Sequence, residues 1–133
     1  MARPAAPLPV VVLVSGYGSN LQAILDRAAT GALPITVSAV VSDRPEARAL
    51  KRAHAAGIAA ETVTAADHPD RLDYDAALMA AVDRHAPGLV VLAGFMRILT
   101  PAFVRRYEGR MLNVHPSLLP KYRGLHTHRR ALQ

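Results

Sequence analysis

The amino-acid sequence predicts an α/β protein with a mostly parallel, doubly wound sheet, in which helices cover both faces. Two observations lead to this fold class. Short apolar runs rich in valine alternate along the chain with segments of helical periodicity, and such alternation builds parallel sheets. The runs are also continuously apolar, which is typical of strands that are buried on both faces.

A glycine-rich loop separates the first strand from the first helix. The apolar run of residues 8–15 predicts the strand, and the sequence Gly-Tyr-Gly-Ser-Asn at residues 16–20 interrupts it. Apolar residues then recur at helical spacing over residues 21–28. Gly31 is placed to end this helix, because glycine readily adopts the left-handed conformation found at helix ends.

The next elements are shorter. Residues 35–41 form a second apolar run and predict a second buried strand. Pro45 is expected to open the second helix and Gly57 to close it, since proline suits the first turn and glycine the end. Residues 58–63 predict a weaker third strand, and residues 64–70 form a polar loop.

The third helix is expected to span about residues 71–85, where Pro87 and Gly88 follow and stop it. Residues 89–93 then predict the fourth strand. Helical spacing places four apolar residues on the face of this helix that should meet the sheet: Leu72, Ala76, Met79 and Val82.

The last part of the chain predicts a short helix, a strand and a second helix. Thr100 and Pro101 suit the N-cap and the first helical position of the short helix. Residues 111–114 predict the fifth strand. A loop with two prolines and a glycine covers residues 116–124, and a further helix is expected to begin near Thr127.

Length and composition narrow the class of protein. The 133 residues suffice for one domain, with residues 1–7 as a tail and residues 8–133 as the folded part. The hydrophobic fraction of 51% excludes intrinsic disorder, and no apolar run reaches the roughly 18 residues of a membrane span. Because cysteine is absent, a disulfide scaffold and a thiolate nucleophile are excluded. Without a signal peptide, we expect a cytoplasmic protein.

The positive charge is concentrated near the C-terminal end. The net charge is +6, and the segment 97–133 contains eight lysine or arginine residues but only one acidic residue, Glu108. Charge alone leaves three interpretations open. The segment could bind nucleic acid, line a site for a small polyanion, or form half of a balanced surface whose acidic half lies outside this chain.

The loop at residues 16–20 is a candidate anion site. Its glycines allow the backbone to approach a ligand closely, and a helix N-terminus follows at once. The spacing matches neither a dinucleotide fingerprint nor a Walker loop. Two compatible interpretations remain: Ser19 and Gln22 form a capping box at the helix start, or the loop binds a single phosphate group.

Residues 94–99, which follow the fourth strand, form a second candidate site. Met96, Ile98 and Leu99 are apolar at a point where the chain should reach the surface. They either pack the loop onto the edge of the sheet or line an apolar slot for a flat ligand whose polar edge contacts the backbone.

The strongest chemical signal is the sequence Asn113-Val-His115 at the end of the fifth strand. Strand alternation places Asn113 and His115 on the same side. The carboxamide can donate to a developing oxyanion and the imidazole can transfer a proton. We expect no metal site, because no carboxylate accompanies His115, His126 and His128. The following loop, with Lys121 and Arg123, is either a pocket wall or a solvated surface.

Three stretches together resemble the phosphoribosylglycinamide formyltransferase family. They are Ser-Gly-Tyr-Gly-Ser-Asn-Leu-Gln-Ala-Ile at 15–24, Val-Leu-Ala-Gly-Phe-Met-Arg-Ile-Leu at 91–99 and Asn-Val-His-Pro-Ser-Leu-Leu-Pro-Lys-Tyr at 113–122. The resemblance implies a Rossmann-like formyltransferase fold. The Asn-x-His core alone is shared with methionyl-tRNA formyltransferase and formyltetrahydrofolate deformylase. The loop at 16–20 and the sequence at 124–128 favour the first family over both.

The resemblance implies a reaction in purine biosynthesis. The amine of 5-phosphoribosylglycinamide would attack the formyl group of the co-substrate 10-formyltetrahydrofolate through a tetrahedral intermediate, with no metal and no nucleic-acid partner. Asn113 would stabilise the oxyanion and His115 would donate the proton. The residues expected to hold the substrate phosphate are Gly18, Ser19 and Asn20. The residues expected to contact the folate are Arg71, Met96, Arg97, Ile98, Leu99 and Asn113.

The chain departs from the family pattern in three places. Tyr17 replaces an asparagine between the two glycines, where only the backbone need face the phosphate, and Arg123 stands where proline is common. The family domain also continues well past Gln133 and supplies there an aspartate that pairs with the histidine. We therefore expect the chain to be an N-terminal portion that is nearly inactive by itself.

Three points stay open from the sequence. The chain could instead belong to a formyltetrahydrofolate deformylase, in which water is the acceptor, or to another formyltransferase of the superfamily. A non-catalytic nucleotide-binding module that uses the basic segment is a further alternative. A homo-oligomer is compatible with the sequence, which does not fix the number of subunits.

Overall fold

The structure, a computed structural model, describes residues 6–114. Within that range five strands and four helices alternate along the chain. The strands are β1 (Leu8–Val14), β2 (Ile35–Ser42), β3 (Ala59–Thr62), β4 (Leu89–Ala93) and β5 (Met111–Val114). The helices are α1 (Ser19–Thr30), α2 (Arg48–Ala55), α3 (Arg71–Asp83) and α4 (Pro101–Arg106).

The five strands form one sheet in the order β3-β2-β1-β4-β5, and every pair of neighbours is parallel. The central strand, β1, pairs with β2 on one side and β4 on the other, and its Val11 lies opposite Ala39 and Val90. The chain runs outward from β1 to β3 and then returns to β4. This reversal confirms the doubly wound fold and places the topological switch point between β1 and β4.

Two apolar layers cover the sheet, one on each face. Residues 10–14 of β1 are fully inaccessible because their side chains point alternately into both layers. Helices α1 and α2 cover one face, through residues that include Leu21, Ile24, Ala49 and Ala53. Helices α3 and α4 cover the other, through residues that include Tyr74, Leu78, Val82 and Phe103. Burial on both faces explains why β1 is continuously apolar.

The predicted core face of α3 is wrong for two of its four residues, Leu72 and Ala76, whereas Val82 is buried and Met79 packs against the core. Leu72 is 66% exposed and Ala76 also faces solvent. The buried residues of α3 are Tyr74, Asp75, Leu78, Ala81 and Val82. Helix α3 is rich in apolar residues on every side, so its sequence does not define one stripe, and the fully buried Tyr74 ring sets the face that meets the sheet.

Two predicted helix starts also differ from the structure. Helix α1 begins at Ser19 itself, Gly18 is its N-cap, and no side chain caps it, so the capping box is wrong. Helix α2 begins at Arg48, because Pro45 lies in a turn that is closed by a hydrogen bond from Ala47 N to Arg44 O.

Other predicted helix ends are confirmed. The Thr100 hydroxyl caps α4 by accepting from Phe103 N, with Pro101 at the first helical position. Gly31 ends α1 with a φ of 80°. The predicted loop at 116–124 and the helix near Thr127 lie outside the described residues, as do residues 1–5 of the expected tail. None of the helices in residues 6–114 has the length and apolar character needed to cross a membrane.

Candidate functional site at the switch point

Two loops meet at the carboxyl edge of the sheet, where ligands bind in open α/β folds. The β1 loop (residues 15–20) follows β1, and the β4 loop (residues 94–99) follows β4. A cavity of about 530 Å³ lies between them. Its lining consists of residues 15–20, Arg44, Ala93, Gly94 and Met96. The switch point therefore brings together two of the stretches that the sequence singled out.

Ser15 ties the two loops to each other. Its hydroxyl accepts a hydrogen bond of 2.7 Å from Met96 N, and its own amide donates to Gly94 O at 3.2 Å. The side chain is buried, so these bonds are shielded from water. Sequence reasoning gave Ser15 no role, although a hydroxyl that directly follows a buried strand needs a partner.

Gly18 is required in the β1 loop for two reasons. Its φ of +87° lies in the left-handed region that favours glycine. A Cβ added there would also lie 2.8 Å from the Cα of Ala49 in α2. In addition, Ala49 N donates to Gly16 O at 3.3 Å. The loop is thus pressed against α2, and its shape depends on that helix.

Arg52 of α2 reaches the same loop with its guanidinium. Nε donates to Tyr17 O at 3.0 Å and Nη1 donates to Gln22 Oε1 at 3.1 Å. The Tyr17 ring lies under two cations, Arg48 at 5.3 Å and Arg52 at 5.0 Å from its centroid. The side chain of Tyr17 therefore packs on two arginines of α2.

The start of α1 carries a series of amides that are free to bind an anion. Gln22 N donates to Gly18 O at 2.8 Å. Within residues 6–114, the amides of residues 17–21 have no backbone or side-chain acceptor. Free amides and the positive end of the helix dipole favour a phosphate or carboxylate at this position. Gly18, Ser19 and Asn20, which the sequence predicted for a phosphate, form the centre of this series.

The apolar residues of the β4 loop divide into two groups. Phe95 and Leu99 pack against the core on the α3 side of the sheet. Met96 and Ile98 point outward and are 73% and 79% exposed. Packing onto the sheet therefore accounts for Leu99 but not for Met96 and Ile98, whose exposure fits a surface that receives an apolar ligand.

Arg97 turns back from the β4 loop onto α3. Its guanidinium lies 3.9 Å from the centroid of the Tyr74 ring, a close cation–π contact. Burial raises the pKa of the Tyr74 phenol above its ordinary range, and Asp43 acts in the same direction while Arg97 opposes it. The phenol therefore stays neutral, and Arg97 anchors the β4 loop to the core.

Arg71, predicted as a folate contact, lies beside the β4 loop although 27 residues separate it from Ile98. Its Nη2 donates to Ile98 O at 3.2 Å. A second cavity, of about 460 Å³, lies here and is lined by Asp43, Arg44, Arg71, Met96, Arg97 and Ile98. Sequence reasoning missed Asp43 and Arg44, which could have been found because they follow β2 at the same edge of the sheet.

Asp75 is a further residue that sequence reasoning missed. The carboxylate is buried, and its Oδ2 accepts a hydrogen bond of 2.7 Å from Thr100 N. Because Thr100 caps α4 and ends the stretch that begins with the β4 loop, Asp75 fixes the far end of that loop. No sequence pattern distinguishes Asp75 from Asp73 and Asp83 of the same helix, and only its burial shows that its carboxylate needs a partner.

Asn113 lies at the same edge, on β5. It pairs with Leu92 in the sheet and is exposed. Strand alternation places its side chain on the α3 side of the sheet, as for Leu92 and the core-packed residues of the β4 loop. His115 lies outside the described residues. In residues 6–114, no three or more His, Cys, Asp or Glu side chains are grouped so as to hold a metal ion.

Several arginines of the basic segment stabilise the fold. Arg106 Nε donates to Asp83 Oδ2 at 2.9 Å, and the Tyr107 hydroxyl donates to Asp83 Oδ1 at 2.7 Å. Burial raises the pKa of the Asp83 carboxyl, but these hydrogen bonds outweigh it and leave the pKa below 3.8. Arg110 donates to Pro87 O at 2.8 Å. The basic residues after 114 lie outside the described residues.

Comparison with known proteins agrees with this architecture. A phosphoribosylglycinamide formyltransferase of Escherichia coli strain K12 is 57% identical over 124 residues, which cover 93% of this chain and 58% of that protein. The solved phosphoribosylglycinamide formyltransferase of Coxiella burnetii is 52% identical with a TM-score of 0.78, over 95% of this chain and 59% of that one. This chain thus spans about three fifths of the length of such relatives.

A more distant solved relative is a formyltetrahydrofolate deformylase of Pseudomonas putida. It is 30% identical with a TM-score of 0.76, over 85% of this chain and 39% of that one. The sequence model of the formyl transferase family matches residues 8–133. These matches confirm the resemblance inferred from the sequence, and the chain belongs to the formyl transferase family.

Proposed function

We propose that this chain supplies the substrate sites of an enzyme that transfers a formyl group from 10-formyltetrahydrofolate to the amine of 5-phosphoribosylglycinamide. One observation carries the proposal. A loop with free amides and a loop with exposed apolar side chains share one cavity and are hydrogen-bonded through Ser15. The names of the E. coli and C. burnetii relatives support the choice of substrates.

The β1 loop fits the phosphate group of the ribonucleotide. Gly18, Ser19 and Asn20 would hold it through backbone amides at the start of α1. A phosphate monoester suits this site better than a larger polyphosphate, because the series of amides is short and no lysine of a Walker motif accompanies it.

The β4 loop and its neighbours fit the folate. Met96 and Ile98 offer apolar surface to the flat pteridine ring, and the backbone of Arg97, Ile98 and Leu99 can contact its polar edge. Arg71 and Arg44 border the adjoining cavity. Neither forms an ion pair with a carboxylate in residues 6–114, so both are suited to the carboxylates of the co-substrate.

Asn113 and His115 would act on the reacting atoms. The bound co-substrate supplies the formyl carbon that accepts the amine. Asn113 would donate an N–H to the formyl oxygen as negative charge develops there. As the new C–N bond forms and the old one breaks, the amine loses one proton and the folate nitrogen gains one. We assign the delivery of that proton to His115.

A formyl-transfer assay on the enzyme that contains this sequence tests the proposal. Replacing Asn113 by alanine should lower kcat by about 10² to 10³, because loss of an oxyanion donor costs about 2.7–4 kcal/mol. His115→Ala should lower turnover at least as strongly. Leu112→Ala, next to Asn113 but on the opposite face of β5, is the matched control and should change kcat less than twofold. Near-normal turnover of Asn113→Ala would contradict the assignment.

The same assay separates this proposal from its alternatives. Omitting the ribonucleotide should stop formyl transfer. Formate release that continues unchanged without it would show that water is the acceptor, as in a deformylase. A module that binds nucleic acid through its basic segment would instead bind with an affinity that falls steeply with salt, whereas folate binding should weaken only slightly.

A further inference from the structure

We propose that Arg52 is a positioning residue that turns the amides of the β1 loop toward the phosphate. This inference deepens the proposed function and depends on the β1 loop being the phosphate site. Arg52 lies on α2, which contributes no residue to the lining of the cavity between the two loops. It therefore acts through the loop and not by contact with the ligand.

Helix α2 binds two carbonyl groups of the β1 loop. Ala49 N binds Gly16 O and Arg52 Nε binds Tyr17 O, at 3.3 and 3.0 Å. In a trans peptide the C=O and the following N–H point in opposite directions. The amides of Tyr17 and Gly18 therefore point away from α2. If the Tyr17 peptide turned over, its carbonyl oxygen would replace the Gly18 amide and repel an anion.

Arg52 is also linked to α1 through hydrogen bonds of Gln22. Arg52 Nη1 donates to Gln22 Oε1, and Gln22 Nε2 donates to Asp26 Oδ1 at 2.9 Å. The bond to Asp26 fixes the orientation of the Gln22 amide, so that its oxygen faces Arg52. One guanidinium thus holds both the β1 loop and the first turn of α1. A planar guanidinium can span two acceptors in this way, whereas an ammonium group is a single point donor.

Two neighbouring cations on α2 allow the role of Arg52 to be distinguished from the effect of its charge. Arg48 and Lys51 lie on the same helix as Arg52, and each carries the same charge. Arg48 contacts the Tyr17 ring but makes no hydrogen bond to the loop backbone, and Lys51 is exposed. Removing any of these three side chains takes one positive charge from α2. Only removal of Arg52 leaves the Tyr17 carbonyl without its hydrogen-bond donor.

The experiment measures binding of inorganic phosphate by calorimetry to the full chain and to four variants. We expect Arg52→Ala to raise the Kd about tenfold, in line with loss of a charged hydrogen bond. Arg52→Lys should also raise the Kd severalfold at unchanged charge. Lys51→Ala, the charge-matched control, should change it less than twofold. Arg48→Ala, which removes a cation from the Tyr17 ring but no hydrogen bond to the loop backbone, should raise it less than Arg52→Ala does. In the enzyme assay, Arg52→Ala should raise the KM for the ribonucleotide and leave kcat and the KM for folate unchanged.

The outcomes distinguish failure of the proposed phosphate site from failure of the positioning role. If the unsubstituted chain binds no phosphate at the β1 loop, the proposed phosphate site and this inference are both wrong. If it binds phosphate and Arg52→Ala binds as tightly as Lys51→Ala, only the positioning role is overturned. If Arg52→Ala does not fold, Arg52→Lys decides, and a Kd equal to that of the unsubstituted chain contradicts the inference.

Discussion

The β1 loop and the β4 loop lie side by side at the switch point but are built in different ways. The β1 loop is held from outside by hydrogen bonds from α2 and by the close approach of Gly18 to Ala49. The β4 loop is anchored at Arg97 and Leu99, while Met96 and Ile98 remain exposed. A site for a phosphate needs oriented amides before the ligand arrives, whereas an apolar surface needs only to be accessible.

The largest expected effect comes from filling the space next to Gly18. Gly18→Ala should destabilise the fold by about 3 kcal/mol, because it combines a strained positive φ with a clash against Ala49. It should also weaken ribonucleotide binding far more than folate binding. Urea unfolding and calorimetry measure the two effects.

Gly94 and Gly16 distinguish the effect of the positive φ from the effect of the clash with Ala49. Gly94, in the β4 loop, has a φ of +76° but open space around its Cβ position, so Gly94→Ala should cost only the strain, about 1–2 kcal/mol. Gly16 has open space and no positive φ, and Gly16→Ala should change stability by less than about 0.5 kcal/mol. Equal effects at Gly18 and Gly16 would contradict the tight fit of the β1 loop against α2.

The next effect concerns the bond that joins the two loops. Ser15→Ala leaves the Met96 amide without its acceptor and should destabilise the chain by about 1–3 kcal/mol. It should weaken both ligands, since it releases both loops. Ser42→Ala is the matched control, because that buried hydroxyl accepts from Arg44 N in the turn after β2. Ser42→Ala should lower stability without weakening the binding of both ligands. If Ser15→Ala weakened the binding of only one ligand, the proposed link between the two loops would be contradicted.

The fold could be predicted almost completely from the sequence. The nine elements of residues 6–114 follow from apolar runs and from helix-end residues, since these patterns depend on local chemistry, although α2 begins three residues after Pro45. The face of α3 could not be predicted, because the position of Tyr74 is decided by packing against the sheet. The capping box at Ser19 failed because the left-handed conformation of Gly18 moves the helix start, which spacing alone does not show.

The candidate site could be predicted only in the residues that we propose to contact the ligands. Gly18, Ser19, Asn20 and the β4 loop follow strands and carry recognisable motifs. Arg52 and Asp75 form hydrogen bonds with Tyr17 and Thr100, which lie 35 and 25 residues away in sequence, so no local pattern indicates their roles. Supporting contacts of this kind depend on tertiary structure. They appear only once the strands and helices are placed.

A smaller effect is expected on the exposed part of the β4 loop. Ile98→Ser should weaken folate binding about tenfold, since loss of its apolar side chain removes about 1.5 kcal/mol of burial in the complex. Its effect on stability should be under about 0.5 kcal/mol, because the side chain is exposed. Leu72→Ser, at a similarly exposed residue on α3, should leave folate affinity unchanged, and an equal loss there would argue against a folate surface at Ile98.

The smallest effect is expected far from both loops, at Asp83. Its pKa in the folded state lies below 3.8, so its stabilising contribution is present above that pH and is lost as the pH falls further. Asp83→Asn should lower the free energy of unfolding by about 1 kcal/mol at pH 7, an amount reduced by partial exposure to solvent. The variant should also lose less stability than the unsubstituted chain when the pH falls below 4. Phosphate affinity should not change. Urea unfolding at pH 3 and pH 7 compares the two proteins, and unchanged acid sensitivity would contradict this role.

An NMR titration of the ¹⁵N-labelled chain with 5-phosphoribosylglycinamide shows whether the β1 loop is the phosphate site. We expect the amide signals of residues 17–21 to shift together and saturate with one affinity, while those of Gly31 and Gly109, at distant turns, stay in place. Saturable shifts that centre elsewhere, with the amides of the β1 loop unaffected, would contradict it.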